Sequence, residues 1–293
     1  MTSITTLTDD DLLENIQRID GIVLNDGPSF MVVDCDSALS DLIDILVALP
    51  TEPPSIYVDL EGINLSRQGT ISILQLYVLP KDYTYLIDVH QLQHRAFSTT
   101  GKQSEKCLKD ILEAKDVPKV FFDVRNDSDA LFHHFQINLS GVDDIQLMEL
   151  ATRTFQRKFV NGLQRCIEND AVMTVAEKYT WNAAKEKGKK LFAPERGGRY
   201  EVFNDRPLAK DIIQYCVQDV QFLPRLWSRY KGRMSAPWAT KVQVATEERI
   251  ASSRSVDYNG HGKHKALAPK GWYTPPSSSY RRTRRWEETW DDY

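Results

Sequence analysis

Long apolar runs are absent from this sequence. No segment approaches the roughly 20 consecutive apolar residues that a membrane-spanning helix needs. The opening residues, MTSITTLTDDDLLENIQ, are too acidic and too polar for a secretory signal. We therefore expect an intracellular protein, in the nucleus or the cytoplasm, that does not bind membranes.

Cysteine is scarce, and the spacing of the cysteines excludes a zinc site. They lie far apart, with neither a CxxC pair nor the Cys/His spacing that zinc requires. Because a free thiol behaves as a small, readily buried apolar group, we predict reduced thiols that mainly fill space in the core. The four are Cys35, Cys107, Cys166 and Cys216.

The chain also lacks the basic excess that is typical of generic polyanion binders, since its formal net charge is -4. The charge is unevenly distributed. Residues 254–293 carry eight Lys/Arg and five Asp/Glu, which leaves +3 there and -7 in the rest of the chain. An acidic body does not exclude a nucleic-acid substrate, because an enzyme that gathers divalent cations needs carboxylates at its centre.

The sequence pattern predicts an α/β domain with a mixed sheet. Three apolar runs, SIYVDLEG, ISILQLYVL and YTYLIDV, follow one another across short turns, which predicts an antiparallel meander. Helical and strand patterns then alternate, as in SEKCLKDILEA, PKVFFDV and SDALFHHF, which favours parallel strands flanked by helices. The sequence PLAKDIIQYCVQDVQFLPRLWSRY, with proline at its start, predicts one long helix.

From about Arg254 onward the chain is rich in Gly, Ser, Pro and Arg, and it has too few aliphatic residues for a core. We therefore predict one domain over residues 1–253 and a disordered basic tail over residues 254–293. The tail arginines Arg281, Arg282, Arg284 and Arg285 suggest a nonspecific nucleic-acid contact, a nuclear-import signal or no binding role.

Two carboxylates are predicted to lie side by side on a strand. Asp59 and Glu61 are two residues apart and share one face, whereas Ile56, Val58 and Leu60 lie on the other. Neighbouring carboxylates raise each other's pKa unless a cation or a shared proton lies between them. Mg²⁺ and Mn²⁺ are the natural partners of such oxygen ligands. An isolated DxE pair is more often the solvated face of an edge strand.

Two further segments carry candidate site residues. Tyr215 and Asp219 are four residues apart in a helical pattern, so they share one helical face. Asp127 lies where a strand gives way to a helix, and sites form at strand ends in α/β sheets. Asp144 also lies at a strand end, where its position before a helix favours a capping role.

These motifs, in this order, resemble those of the DEDDy exonucleases, the ribonuclease D-like clade of the ribonuclease H-like superfamily. The resemblance is carried by DLE at Asp59–Glu61, NDSDAL around Asp127, DIQLMELA, and RPLAKDIIQYCVQDVQFLPRLW with Tyr215 and Asp219. It extends over about residues 30–230. Three motifs in order, each on the expected element, are more specific than DLE alone.

The resemblance implies a 3′-to-5′ exonuclease that uses two Mg²⁺ or Mn²⁺ ions to release nucleoside 5′-monophosphates from RNA or DNA. Tyr215 would orient or deprotonate the attacking water. The four metal ligands would be Asp59, Glu61, Asp127 and Asp219.

The resemblance leaves one ligand open, because NDSDAL contains both Asp127 and Asp129. Leu131 lies four residues after Asp127, which matches the family spacing, so Asp127 is preferred and Asp129 is the alternative. The run KEKGKK at 185–190 is expected in a solvated loop, although it could contact substrate phosphates. A second hypothesis for the whole protein is a catalytically silent exonuclease fold that binds nucleic acid or a partner protein.

Overall fold

The computed structural model describes residues 28–273, in which six strands form one mixed sheet. The strand order is β1-β4-β3-β2-β5-β6. The central strands β2, β3 and β4 pair antiparallel, whereas β1 pairs parallel with β4, and β5 pairs parallel with β2 and β6. The predicted meander and mixed sheet are therefore confirmed. The strands are β1 (Phe30–Val33), β2 (Ile56–Glu61), β3 (Ile73–Val78), β4 (Tyr83–Asp88), β5 (Lys119–Phe121) and β6 (Val142–Asp144).

Helices flank this sheet. In chain order they are α1 (Asp36–Val47), α2 (Val89–Leu92), α3 (Arg95–Ser98), α4 (Leu108–Glu113), α5 (Arg125–Phe135), α6 (Ile145–Thr152), α7 (Leu163–Asp170), α8 (Val175–Phe192), α9 (Lys210–Gln221), α10 (Leu223–Lys231) and α11 (Ala236–Ser253). Within residues 28–273 no helix combines the length and the apolar character that crossing a membrane requires.

The alternation along β2 decides which side of the sheet carries the acids. Ile56, Val58 and Leu60 are buried in the core cluster that includes residues of α1, α4 and α5. Tyr57 lies in a separate buried cluster with residues of α6 and α10. Because side chains alternate along a strand, Asp59 and Glu61 share the face of Tyr57, the side on which α9 contacts β2, β3 and β4.

The predicted long helix is two helices, α9 and α10, which meet at Phe222. Pro224 occupies the first turn of α10. Proline has no backbone N–H to donate and its ring clashes with the preceding turn, so it favours a helix start over a helix interior.

Ordered structure continues past residue 253, where the sequence predicts the start of a disordered tail. We name residues 254–273 the C-terminal strap. The Arg67 guanidinium donates to the carbonyl groups of Ser253 and Ser255 over 2.8 and 2.9 Å, and the Ala268 N–H donates to the Lys158 carbonyl over 3.0 Å. Polar contacts such as these help to hold the strap, and composition does not reveal them. The tail arginines at 281–285 lie outside the described residues.

Candidate active site

Three carboxylates converge where β2 meets α9. Asp59 and Glu61 extend from the end of β2, and Asp219 extends from the last turns of α9. One carboxylate oxygen of each lies within 4.8 Å of the others. Asp219 is buried, and the other two are half-buried. This spacing lets the three groups share a cation.

The electrostatics of the cluster favour added positive charge. Burial and the Asp219 carboxylate raise the pKa of Asp59 to about 7. Burial and the Asp59 carboxylate raise the pKa of Glu61 well above its usual value. Both shifts mean that the ionised forms are costly until a cation compensates them.

Lys185 of α8 supplies one positive charge to this cluster. Its Nζ donates to Asp219 Oδ1 over 2.7 Å and to the Tyr215 hydroxyl over 3.4 Å. Burial opposes the charged ammonium, but the Asp219 carboxylate raises the pKa of Lys185 above its ordinary value. The lysine therefore enters the cluster as a cation.

Sequence reasoning missed Lys185, because it assigned the lysine run to a solvated loop. That expectation is wrong: the run lies in α8, and Lys185 is buried. A signal was available. Trp181, Lys185 and Gly188 are spaced four and three residues apart, the period of a buried helical stripe.

Tyr215 lies one helical turn before Asp219, and it contacts α8. Its side chain is 7% exposed, and the Lys185 Nζ lies 4.5 Å from the centre of its ring. Burial and the Asp219 carboxylate raise the pKa of Tyr215 well above 10. The phenol is thus protonated and can donate a hydrogen bond toward the carboxylate cluster.

Asp127 and Asp129 lie in different environments. Asp129 is 1% exposed; it accepts from Arg67 Nε over 2.7 Å and from the Arg67 N–H over 2.8 Å. Asp127 lies outside the group of three within 4.8 Å, but burial and the Asp59 carboxylate raise its pKa well above the usual value. Asp127 thus interacts with the cluster, whereas Asp129 forms a buried ion pair.

Gln75 on β3 holds Asp59 from the neighbouring strand. The two residues are direct partners in the β2–β3 register, and Gln75 is fully buried. With its amide oriented so that the nitrogen meets acceptors, Gln75 donates to Asp59 Oδ2 over 3.0 Å and to the Cys216 carbonyl over 3.3 Å. It thereby links Asp59 to α9.

Asp144 supports the neighbouring strand end. It caps α6 by accepting from the N–H groups of Gln146 and Leu147, which is the role that its position predicts. Arg249 of α11 donates to the same carboxylate over 2.7 Å. This buried ion pair connects α11 to the end of the sheet. The helix α5, which contains Asp127, begins at the same end.

A comparison with protein families finds one family model that matches most of this chain. The family model described as 3′-5′ exonuclease matches residues 30–232. This range contains every residue of the carboxylate cluster, together with Tyr215, Lys185 and Asp127.

Solved structures show the same fold. Trypanosoma brucei RNase D in complex with GMP has a TM-score of 0.67 at 22% identity, over 84% of this chain and 70% of that one. The same protein in complex with RNA U12 has a TM-score of 0.65 at 20% identity, over 84% of this chain and 78% of that one. Escherichia coli RNase D has a TM-score of 0.53 at 17% identity, over 78% and 51%. The predicted ribonuclease H-like fold class is thus confirmed.

One curated relative matches part of the sequence. The piRNA biogenesis protein EXD1 of Bombyx mori is 33% identical over 115 residues. The match covers 37% of this chain and 33% of that protein. The chain thus spans about a third of the length of this relative.

Proposed function

Because the chain belongs to the 3′-5′ exonuclease family, we propose that it removes nucleotides from the 3′ end of single-stranded RNA or DNA. The products would be nucleoside 5′-monophosphates. The observation that carries this proposal is the convergence of Asp59, Glu61 and Asp219 within 4.8 Å, beside the phenol of Tyr215. Such a set of groups is suited to phosphodiester hydrolysis.

The residues present fit divalent cations. The cluster offers hard oxygen ligands, the pKa values of Asp59 and Glu61 are raised, and a lysine ammonium already lies against Asp219. We propose that Asp59, Glu61, Asp127 and Asp219 hold two ions, either Mg²⁺ or Mn²⁺. Such a pair would activate the water and stabilise the charge that develops on the attacking and leaving oxygens.

The protein side chains would then orient the reactants. The phenol of Tyr215 would orient the attacking water or take its proton, and a nearby cation would assist it if it acts as a base. Gln75 keeps the Asp59 carboxylate turned toward α9. As the water attacks phosphorus and gives up a proton, the bond to the O3′ of the preceding nucleotide would break, O3′ would take up a proton, and the terminal nucleotide would leave with its 5′-phosphate.

A second candidate function is a catalytically silent module that binds nucleic acid or a partner protein. One observation favours it: Lys185 already neutralises part of the cluster through Asp219. In this alternative the ammonium stays in place, and the carboxylates serve the stability of the fold.

Digestion of a 5′-labelled single strand with Mg²⁺ or Mn²⁺ separates the two candidates. The enzyme shortens the strand one nucleotide at a time from the 3′ end. This laddering disappears in EDTA and in Asp59→Asn, and it persists in Asp41→Asn, an exposed carboxylate of α1. Binding without laddering in either metal supports the silent module. Parallel digestion of matched RNA and DNA strands identifies the preferred substrate.

A further inference from the structure

Three segments beside the candidate active site carry charged side chains of one sign. They are the loop at 154–161, the first turns of α11 at 236–243 and the strap from 258 to 273. Together they contain six Lys/Arg and no Asp/Glu, in a chain whose net charge is -4. We name these segments the basic–aromatic surface. Its cations are Arg157, Lys158, Lys241, Lys263, Lys265 and Lys270.

Backbone hydrogen bonds and ring contacts join the three segments. The Val160 N–H donates to the Ala266 carbonyl over 2.9 Å, and the Ala268 N–H donates to the Lys158 carbonyl over 3.0 Å. These bonds pair the loop antiparallel with the strap. The ring of Trp272 packs edge-on against Trp238 of α11, with 5.0 Å between centroids. The segments therefore form one built surface.

Aromatic rings hold several of these cations. Arg157 Cζ and Lys241 Nζ each lie 4.6 Å from the centroid of the Trp238 ring. Lys158 Nζ lies 4.7 Å from the centroid of the Phe159 ring. Cations placed over aromatic rings retain their positive charge for an incoming anion. Aromatic rings between cations are typical of surfaces that bind single strands.

One end of the surface reaches the candidate active site. Lys265 Nζ donates to Asn126 Oδ1 over 2.8 Å, and the Tyr258 hydroxyl donates to the same oxygen over 2.9 Å. Asn126 directly precedes Asp127. This part of the strap therefore lies beside Asp127, a proposed metal ligand.

The other end of the surface holds a cavity between the strap and α11. It has a volume of about 270 Å³, and Lys241, Lys270, Pro269 and Trp272 line it, together with the carboxylate of Glu248. Trp272 is seven positions after Lys265 in the sequence, and an extended chain of that length covers at most about 25 Å. A strand of several nucleotides could therefore extend from the carboxylates to the cavity.

We propose that the basic–aromatic surface binds the upstream part of a single-stranded nucleic acid whose 3′ end lies at the carboxylate cluster. Lys158, Lys241 and Lys270 contact backbone phosphates, and an unpaired base enters the cavity beside Trp272. The inference rests on the proposed function for the position of the 3′ end. It requires a single strand, because bases in a duplex cannot present their faces to a tryptophan ring.

Substrate length and salt test this proposal. Equilibrium binding of a 12-nucleotide strand is measured in EDTA at several salt concentrations, for the full chain and for the triple variant Lys158→Gln, Lys241→Gln, Lys270→Gln. These three lysines are exposed, so the variant should fold. We expect at least a tenfold loss of affinity, and a slope of log Kd against log salt that is shallower by about 2, since each lost phosphate contact in a single strand contributes about 0.7.

The control is Lys231→Gln. Lys231 Nζ lies 5.6 Å from the ring centroid of Trp227 on α10, so it has the same lysine–tryptophan chemistry on a different helix. Trp272→Leu is a second test of the cavity, with an expected loss of about fivefold or more, because one stacked base contributes a comparable factor. The proposal is overturned if the triple variant matches Lys231→Gln in both affinity and salt slope.

Hydrolysis of a dinucleotide with Mg²⁺ distinguishes failure of this inference from failure of the proposed function. A dinucleotide is too short to reach the surface, so the triple variant should hydrolyse it at the rate of the unmodified protein and show a raised KM only for the 12-nucleotide strand. If the unmodified protein hydrolyses neither substrate, the exonuclease proposal fails while the binding comparison still tests the surface. If dinucleotide turnover falls equally in the triple variant, the surface is not a separate binding site.

Discussion

The α-carbon of Gly188 lies against the side chain of Tyr215, so that a β-carbon added at Gly188 would lie 2.6 Å from Tyr215 Cβ. That distance is too short for any side chain. The absence of a side chain at Gly188 therefore allows α8 to approach α9 closely enough for Lys185 to reach Asp219. We predict that Gly188→Ala displaces Tyr215 and lowers kcat about 10- to 100-fold, since a misplacement of about 1 Å can cost that much.

The same substitution should reduce stability by about 1–3 kcal/mol through overpacking, without unfolding the protein. Thermal unfolding and kcat on a labelled strand measure the two effects. Gly232→Ala is the matched control, because its added methyl group would lie no closer than 3.4 Å to a neighbouring atom. Equal kcat values for Gly188→Ala and Gly232→Ala would show that the close contact does not position Tyr215.

Much of this arrangement could be predicted from the sequence, and for identifiable reasons. The alternation of Ile56, Val58 and Leu60 with polar residues fixes the face of β2 that carries Asp59 and Glu61. Helical spacing places Tyr215 and Asp219 on one face of α9. Both inferences depend on local periodicity, which a single sequence contains.

The residues that the sequence left unassigned depend on contacts between distant segments. Lys185 is 34 residues from Asp219. No local sequence pattern predicts that a lysine on a buried helical stripe contacts a distant carboxylate. The strap is attached by hydrogen bonds such as that from Lys265 to Asn126, which are 139 residues apart. Composition alone favours disorder for such a segment, because it contains few aliphatic residues.

Substitution of Asp127 should mainly lower activity, whereas substitution of Asp129 should mainly lower stability. Asp127→Asn removes a proposed metal ligand. Its ionised form destabilises the metal-free fold, because the carboxylate is buried near Asp59. We predict loss of at least about 100-fold in kcat, with stability unchanged or raised when no divalent cation is present. Asp129→Asn breaks the buried pair with Arg67, and should lower the free energy of unfolding by about 3–5 kcal/mol.

Chemical denaturation in EDTA, together with kcat at a temperature where both variants are folded, makes this comparison. If Asp129→Asn abolishes hydrolysis while retaining full stability, Asp129 is the ligand and the assignment of Asp127 is wrong.

Removal of Lys185 should make the protein depend more strongly on divalent cations for stability. In Lys185→Met, Asp219 loses its ammonium partner at 2.7 Å, and the remaining carboxylates repel one another. We expect a lower Tm in EDTA and a larger rise in Tm on addition of Mg²⁺ or Mn²⁺ than in the unmodified protein, because binding to the folded state alone stabilises it. Lys187→Met, an exposed position on the same helix, is the control. An identical response to cations in all three proteins would contradict a site shared by Lys185 and the metal ions.

A buried lysine outside the carboxylate cluster should give the protein a distinct pH dependence of stability. Lys119 on β5 is fully buried, and its Nζ donates to the carbonyl groups of Ile111 in α4 and of Ala114, which directly follows that helix. Burial lowers the pKa of Lys119 to about 7, whereas the unfolded chain has an ordinary lysine pKa of about 10.4. At pH values between these two pKa values, Lys119 is protonated in the unfolded state and neutral in the folded state.

The free energy of unfolding contributed by Lys119 therefore rises as the pH increases from about 7 toward 10, and it is lowest below pH 7, where both states are protonated. Relative to Lys119→Met, the unmodified protein should gain about 2 kcal/mol between pH 7 and pH 9, because one full pH unit of such a difference contributes about 1.4 kcal/mol. Urea denaturation of both proteins at intervals of half a pH unit measures the difference. Parallel stability curves would mean that Lys119 keeps an ordinary pKa in the folded protein, held charged by the two carbonyl groups.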